Sequence, residues 1–104
     1  MARPAIHPGE ILAEELEELG ISPTELSRQL CVPPNRITQI IQGKRSITGD
    51  TALRLGHWFG TSPQFWLNLQ AAYDLRVAEQ EAGSEIERLP TKATGSRPRY
   101  AAPE

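Results

Sequence analysis

The stretch that decides the fold is residues 23–45, which read PTELSRQLCVPPNRITQIIQGKR. Its first part carries Leu26 and Leu30 one helical turn apart, and this interval predicts a short helix with a single apolar face. The double proline at 33–34 ends that helix, because proline cannot continue a helix but suits the start of a new one. The stretch therefore begins with one short helix and a sharp break.

A second short helix is predicted after this break, from Pro34 to about Gln42. Three isoleucines, Ile37, Ile40 and Ile41, fall on one side of it and form its inward face. A glycine follows directly, which is a common end of a helix because glycine adopts the left-handed conformation without strain. The two helices are therefore separated by a turn of only about four residues.

Small side chains at the junction favour close packing of these two helices. Ser27 is small at the point in the first helix where the second must approach, and a larger side chain there would force the helices apart. Val32 lies in the turn and is placed to fill the core beneath it. Two short helices joined in this way form a helix-turn-helix, whose second helix enters the major groove in DNA-binding proteins.

The outward face of the second helix is polar and short-chained. Asn35, Thr38, Gln39 and Gln42 fall on one side by their spacing. Asparagine and glutamine pair bidentately with adenine, threonine contacts the thymine methyl, and the neighbouring Arg36 is placed to reach guanine. Every helical hairpin has a polar face towards solvent, so this face alone does not separate DNA binding from simple solvation.

Phosphate binding is the second requirement, and two features supply it. Lys44 and Arg45 follow the second helix and are placed to hold the backbone, although they also suit the negative end of the helix dipole. The first helix starts at Ser22, a capping residue followed by proline, and offers free backbone N–H groups to another phosphate. The candidate DNA-contacting residues are Ser22, Thr24, Pro34, Asn35, Arg36, Thr38, Gln39, Gln42, Lys44 and Arg45.

The distribution of charge supports this assignment although the formal net charge of the chain is −2. Residues 33–57 carry four basic side chains against Asp50 alone, and acidic stretches lie on both sides. A local basic face is what phosphate binding requires, and the balance of the whole chain matters less. The run of glutamates in residues 10–18 is most simply a solvated surface, and the alternatives are a role in repelling DNA or in contacting a basic partner.

The rest of the chain also reads as helix. Apolar residues at helical spacing predict three further helices at 8–19, 49–59 and 63–82, and no stretch alternates with the period of a strand. We expect an all-α fold of five helices in one DNA-binding and dimerisation domain, residues 1–82. The polar segment 83–104 is expected to be a mostly disordered tail. The apolar positions of the three further helices are Ile11, Leu12, Leu16 and Leu19, then Ala52, Leu53, Leu55 and Trp58, then Phe65, Trp66, Leu69, Tyr73 and Val77.

Composition and motifs argue against several other classes of protein. Cys31 is the single cysteine, which excludes an internal disulfide and fits the reducing cytoplasm. No apolar run approaches the roughly 20 residues that span a bilayer, and the N-terminus lacks a signal-peptide core. His7 and His57 lack the spacing of metal ligands, and no paired carboxylates, nucleophile–histidine pair or phosphate loop is evident. We therefore expect neither an enzyme nor a bound metal or cofactor.

Three motifs give the chain a family resemblance over residues 5–80. They are HPGEIL at 7–12, GKR at 43–45 and SPQFWLNLQ at 62–70. With them the chain resembles the HigA-type antitoxins, within the phage-repressor-like helix-turn-helix regulators. It departs from that group at Cys31, where relatives often have glycine, and at Pro34, where they often place a polar, DNA-touching side chain.

The resemblance implies a homodimer that binds a palindromic operator, represses its own operon and neutralises a RelE-like ribonuclease toxin. The residues favour a dimer independently, because one such module covers only a few base pairs. Apolar residues also spread around more of the fifth helix than one small core can cover. A stand-alone repressor without a toxin, or an interaction module that has lost DNA binding, would carry the same fold. The candidate dimer contacts are Trp66, Leu67, Leu69, Tyr73, Leu75 and Val77.

Overall fold

Five helices connected by short turns build the domain in a computed structural model, which describes residues 4–92. No strand occurs among these residues, so the predicted all-α, five-helix fold is confirmed. No helix in this range is long and apolar enough to cross a membrane. The helices are α1 (Pro8–Leu19), α2 (Pro23–Leu30), α3 (Arg36–Ile41), α4 (Gly49–Phe59) and α5 (Pro63–Glu87).

Two helix boundaries differ from those expected. The helix α3 begins at Arg36 and not at Pro34, because Pro34 and Asn35 form a turn before it. The helix α5 continues to Glu87, whereas the sequence placed its end near Ala82. Its added turn contains Gly83, which costs only about 1 kcal/mol relative to alanine inside a helix, among residues that favour helix. The start of the expected tail is therefore helical, and residues 93–104 lie outside the described part of the chain.

The core lies where α1, α2, α3, α4 and the first half of α5 meet. Most of its members follow the predicted spacing, but Ile47 comes from the loop before α4 and no periodicity marks it. Three predicted inward residues are largely exposed instead: Leu19 at 56%, Leu53 at 62% and Phe65 at 42%. Helical spacing shows which side of a helix is apolar, but it does not show whether a neighbouring helix covers all of that side. The buried apolar residues are Leu12, Leu16, Leu26, Leu30, Ile37, Ile40, Ile47, Ala52, Leu55 and Trp66.

The start of α1 is fixed against the end of α3 by a very close approach. A Cβ atom on Gly9 would lie 2.0 Å from the carbonyl oxygen of Ile40, so only glycine fits at this position. The preceding residue His7 is buried and caps α1, since its Nδ1 accepts a hydrogen bond of 2.9 Å from the Gly9 N–H. The His7 ring also packs edge-on against Tyr73 of α5, with centroids 4.8 Å apart. One short motif thus holds α1, α3 and α5 together.

Candidate nucleic-acid interface

The helices α2 and α3 are joined through Ser27, which is fully buried between them. Its Oγ accepts a hydrogen bond of 3.2 Å from the backbone N–H of Ile37, in the first turn of α3. Asn35, the residue at the start of α3, makes no side-chain cap of its own. Ser27 therefore allows the close approach that its size predicted and also caps α3 from the neighbouring helix, which sequence spacing alone does not show.

The turn after α2 places Cys31 in the left-handed conformation, with φ of 59°. This conformation costs a non-glycine residue of the order of 1 kcal/mol. Cys31 is thus strained at the position where relatives often have glycine. The cysteine side chain is exposed, and the neighbouring Val32 packs against the core as predicted.

The outward residues of α3 differ in how far they reach solvent. Asn35 and Gln42, at its two ends, are exposed, whereas Thr38 and Gln39 are half-buried. Gln39 is also not free, because its Oε1 accepts a hydrogen bond of 2.9 Å from Nε of Arg45. The structure therefore joins a candidate base-reading residue to a candidate phosphate-binding residue.

The four basic residues of the stretch 33–57 have different roles in the structure. Lys44 and Arg45 are exposed directly after α3, as expected. Arg54, in contrast, donates to the Leu30 carbonyl at the end of α2 and to the Asp50 carboxylate, at 2.8 and 2.9 Å. That bond from Arg54 holds the pKa of the Asp50 carboxyl below its usual value, and the charge of Arg36 adds to the shift.

Arg36 is only half-buried, but its Nε is covered and has no hydrogen-bond partner within residues 4–92. An uncompensated buried donor is costly, and a charged one more so. The sequence placed this guanidinium beside the base-reading face, where it would be free to reach guanine. The structure instead covers part of it, so a contact with DNA would have to come from the terminal nitrogens.

The start of α2 offers two backbone donors to a phosphate. Ser22 caps the helix as predicted, accepting a hydrogen bond of 3.0 Å from the Glu25 N–H. The next residue, Pro23, has no N–H, and the Leu26 N–H donates to the Ser22 carbonyl. Within residues 4–92 the backbone N–H groups of Ser22 and Thr24, both exposed residues, are thus left without a hydrogen-bond partner.

Glu25 does not complete the capping box that its spacing suggests. Its carboxylate pairs instead with Arg28 and Gln29 on the next turn. Hydrogen bonds from Arg28, and then from Gln29, lower the pKa of Glu25 to about 2. The shallow groove between α2 and the turn is lined by Thr24, Glu25 and Arg28, and Pro34 forms its edge as an exposed residue. The Glu25 carboxylate, which lies near the open N–H of Thr24, is thus paired with the Arg28 guanidinium.

The proposed dimer residues of α5 fall into two groups. Trp66 is only 1% exposed, packs against Phe59 and donates to the Thr61 hydroxyl at 3.0 Å, so it belongs to the core of the single chain. This corrects its assignment to a dimer surface. Leu75 is 66% exposed. The remaining candidates, Leu67, Leu69, Tyr73 and Val77, are half-buried.

A groove of about 300 Å³ lies beside these α5 residues, between α5 and the segment that leads into α1. Leu69, Tyr73 and Arg76 line its α5 side, and Ile6 and Ile11 line the other. Ile6 is exposed although it is a large apolar residue, and nothing in the spacing of this short segment singled it out. No group of three or more potential metal ligands occurs within residues 4–92.

The helix-turn-helix family model matches residues 12–66, which include α2, the turn and α3. Virulence-associated protein I of Dichelobacter nodosus is 55% identical over 82 residues, 78% of this chain and 76% of that protein. The structure of an addiction module antidote protein of the HigA family from Coxiella burnetii is similar with a TM-score of 0.85 and 53% identity, over 88% of this chain and 100% of that one. Pseudomonas aeruginosa antitoxin HigA, solved with the higBA promoter, has a TM-score of 0.82 and 45% identity, over 85% and 97%. The chain belongs to the helix-turn-helix family and, within it, to the HigA-type antitoxins.

Proposed function

We propose that this protein is a sequence-specific DNA-binding antitoxin that represses its own operon and neutralises a cognate ribonuclease toxin. The observation that carries the DNA-binding part is the cluster at the end of α3, where Gln39 and Arg45 form a pair beside the exposed Lys44. The similar Pseudomonas aeruginosa HigA was solved with promoter DNA, which supports DNA binding by this chain.

In this proposal α3 lies in the major groove and α2 crosses the phosphate backbone. Thr38, Gln39 and Asn35 contact base edges, and Gln42 and Arg36 flank them at the two ends of the helix. Lys44 and Arg45 bind phosphates on one side, and the open N–H of Thr24 binds another. These contacts combine sequence reading with sequence-independent attraction, as repression of one operator among many DNA sites requires.

Repression of a palindromic operator further requires two copies. We propose a homodimer formed through the exposed side of α5 and its groove, with Leu67, Leu69, Tyr73, Leu75 and Val77 as contacts. Such a pair places its α3 helices about 34 Å apart, one turn of B-DNA. The site of action is the cytoplasm, where both the operator and messenger RNA are found.

The DNA-binding proposal is tested by replacing Lys44 and Arg45 together with alanine. Each lost phosphate contact reduces the slope of log K against log salt by about 0.9, so the slope should fall by about 1.8 and all DNA sequences should be bound more weakly. The measurement is titration of the upstream DNA of the gene at several salt concentrations. Arg88→Ala with Lys92→Ala is the matched control, since both residues are exposed and lie beyond α5. Equal slopes for the two double variants would contradict the proposal.

The antitoxin part needs a separate experiment. The product of the neighbouring gene is purified, and cleavage of a messenger RNA by it is measured with and without this protein. Inhibition at equal molar amounts is the expected result. A chain that binds its operator but leaves cleavage unchanged would instead be a stand-alone repressor.

A further inference from the structure

The helix α1 carries an excess of negative charge that the fold does not use. Its five glutamates are exposed, and none forms an ion pair within residues 4–92. The ion pairs found there join residues of α2, α4 and α5 to partners on the same helix. The unpaired glutamates are Glu10, Glu14, Glu15, Glu17 and Glu18.

This charge also works against the helix that carries it. Glu14 lies four residues from both Glu10 and Glu18, and like charges at that spacing destabilise a helix. Glu17 and Glu18 lie at the C-terminal end, where the helix dipole disfavours anions, and the last turn has no basic residue. Glu10, in the first turn, suits the helix dipole, but helix stability does not account for the other glutamates, and such a local conflict is typical of a functional surface.

A groove of about 180 Å³ lies beside the charged face, and its lining combines aliphatic and aromatic side chains with Glu15 and Thr61. Ile11 and Glu15 of α1 line one side, and Phe59 and Phe65 line the other with Trp66. Phe65 is a large aromatic residue with much of its ring in solvent, although it packs edge-on against Trp66. An apolar floor with a charged rim is the usual composition of a protein-binding surface.

We infer that this acidic groove, formed by Ile11, Glu15, Phe59 and Phe65 with Glu18 on the next turn, is the docking site for a basic protein. Charge complementarity decides the kind of partner: DNA is repelled by the same carboxylates, and a basic surface neutralises them. The inference rests on the proposed antitoxin function, in which the toxin is that partner.

The position of the groove allows operator and partner to be bound together. The groove is lined by residues of α1, the end of α4 and the start of α5, and none of the proposed DNA-contacting residues is among them. The docking site is therefore separate from the DNA-contacting face. The partner would leave Thr38, Gln39 and Lys44 free.

The test compares Glu15→Gln with Glu18→Gln, combined in one chain, against the control Glu81→Gln with Glu85→Gln on α5. Both pairs remove two exposed charges. The probe is the purified product of the neighbouring gene, titrated by calorimetry at low and high salt. The α1 variant should bind at least tenfold more weakly at low salt, with the difference shrinking at high salt. The control should bind like the unchanged protein.

Two further readouts separate docking from folding. The melting temperature of the α1 variant should be equal or higher, because like-charge repulsion is relieved, and its operator affinity should be unchanged. Phe65→Ser should also weaken the complex while operator binding persists. Equal affinity of the probe for the α1 variant and the unchanged protein overturns the docking site alone. Absence of any complex with the unchanged protein, while it still binds its operator, overturns both the docking site and the antitoxin function.

Discussion

At the scale of the residue, the contact between Gln39 and Arg45 decides how the candidate interface can read DNA. Bidentate pairing of a glutamine with adenine uses both its carbonyl and its NH2 group. Here the carbonyl of Gln39 already accepts a hydrogen bond from Arg45, so the NH2 group remains as the free donor. Arg45 in turn is held near the base edges and not only near phosphate. We therefore expect the two side chains to act as one unit.

A double-mutant cycle tests this coupling. Gln39→Ala, Arg45→Ala and the double variant are compared for operator affinity with the unchanged protein. Because either single change breaks the same pair, the double variant should lose less than the sum of the two, by about 0.5–3 kcal/mol. The pair Gln39 and Lys44 serves as the control, because these residues share only a backbone hydrogen bond, from the Lys44 N–H to the Gln39 carbonyl, which alanine substitutions keep. Additive losses for Gln39 and Arg45 would contradict the coupling.

At the scale of the element, the start of α1 is held by a side chain that must stay neutral. His7 accepts the Gly9 N–H at Nδ1, and a protonated ring loses that acceptor. Burial lowers the pKa of His7 below its ordinary value, although the charges of Asp74 and Glu10 act in the opposite direction. The cap therefore contributes fully above the ordinary pKa, about 6.5, and is lost as the pH falls below it through the lower pKa of the folded state.

The pH dependence of stability tests the role of His7. The free energy of unfolding of the unchanged protein should decrease as the pH falls below about 6.5, because the unfolded chain binds a proton that the folded chain excludes. His7→Asn keeps a capping side chain without a titrating group, so its decrease should be smaller. Urea unfolding at each pH provides the measurement. Parallel curves for the two proteins would show that His7 is not the group responsible.

At the scale of the whole molecule, the basic, acidic and apolar surfaces lie on different helices. The basic and polar groups gather at α3 and the loop behind it, the glutamates cover α1, and exposed apolar residues lie along α5. Leu75 is the most exposed of the proposed dimer contacts, and a leucine in that position gains most from being covered by a second copy.

Leu75→Lys should therefore convert the proposed dimer to a monomer. Operator affinity should fall by about 10² or more, since the second half-site contact is no longer intramolecular. Leu53→Lys is the matched control, because Leu53 is a comparably exposed leucine on α4. Mass from light scattering and operator titration are measured on both variants. If the Leu75 variant has the same mass in solution as the control, the assignment of α5 to the dimer surface is wrong.

The sequence by itself was sufficient for the number and order of the helices, and it proposed the residue types of the candidate site. Capping serines, prolines and glycines mark helix ends through local backbone chemistry, and the spacing of Leu26, Leu30, Ile37 and Ile40 marks the buried faces. These signals act within a few residues, so they can be read without knowing the fold. The left-handed conformation at Cys31 is also a local property. Its only signal in the sequence is that related proteins often have glycine at this position.

Only the tertiary structure decided which groups meet and which are covered. The bond from Ile37 to Ser27, the pairing of Gln39 with Arg45 and the use of Arg54 to cap α2 join residues between six and 24 positions apart. Trp66 was assigned to a dimer surface because its spacing is that of an apolar helix face, and the packing of Phe59 shows that the face is internal. Burial depends on what lies opposite a side chain, and that is set by the arrangement of all five helices.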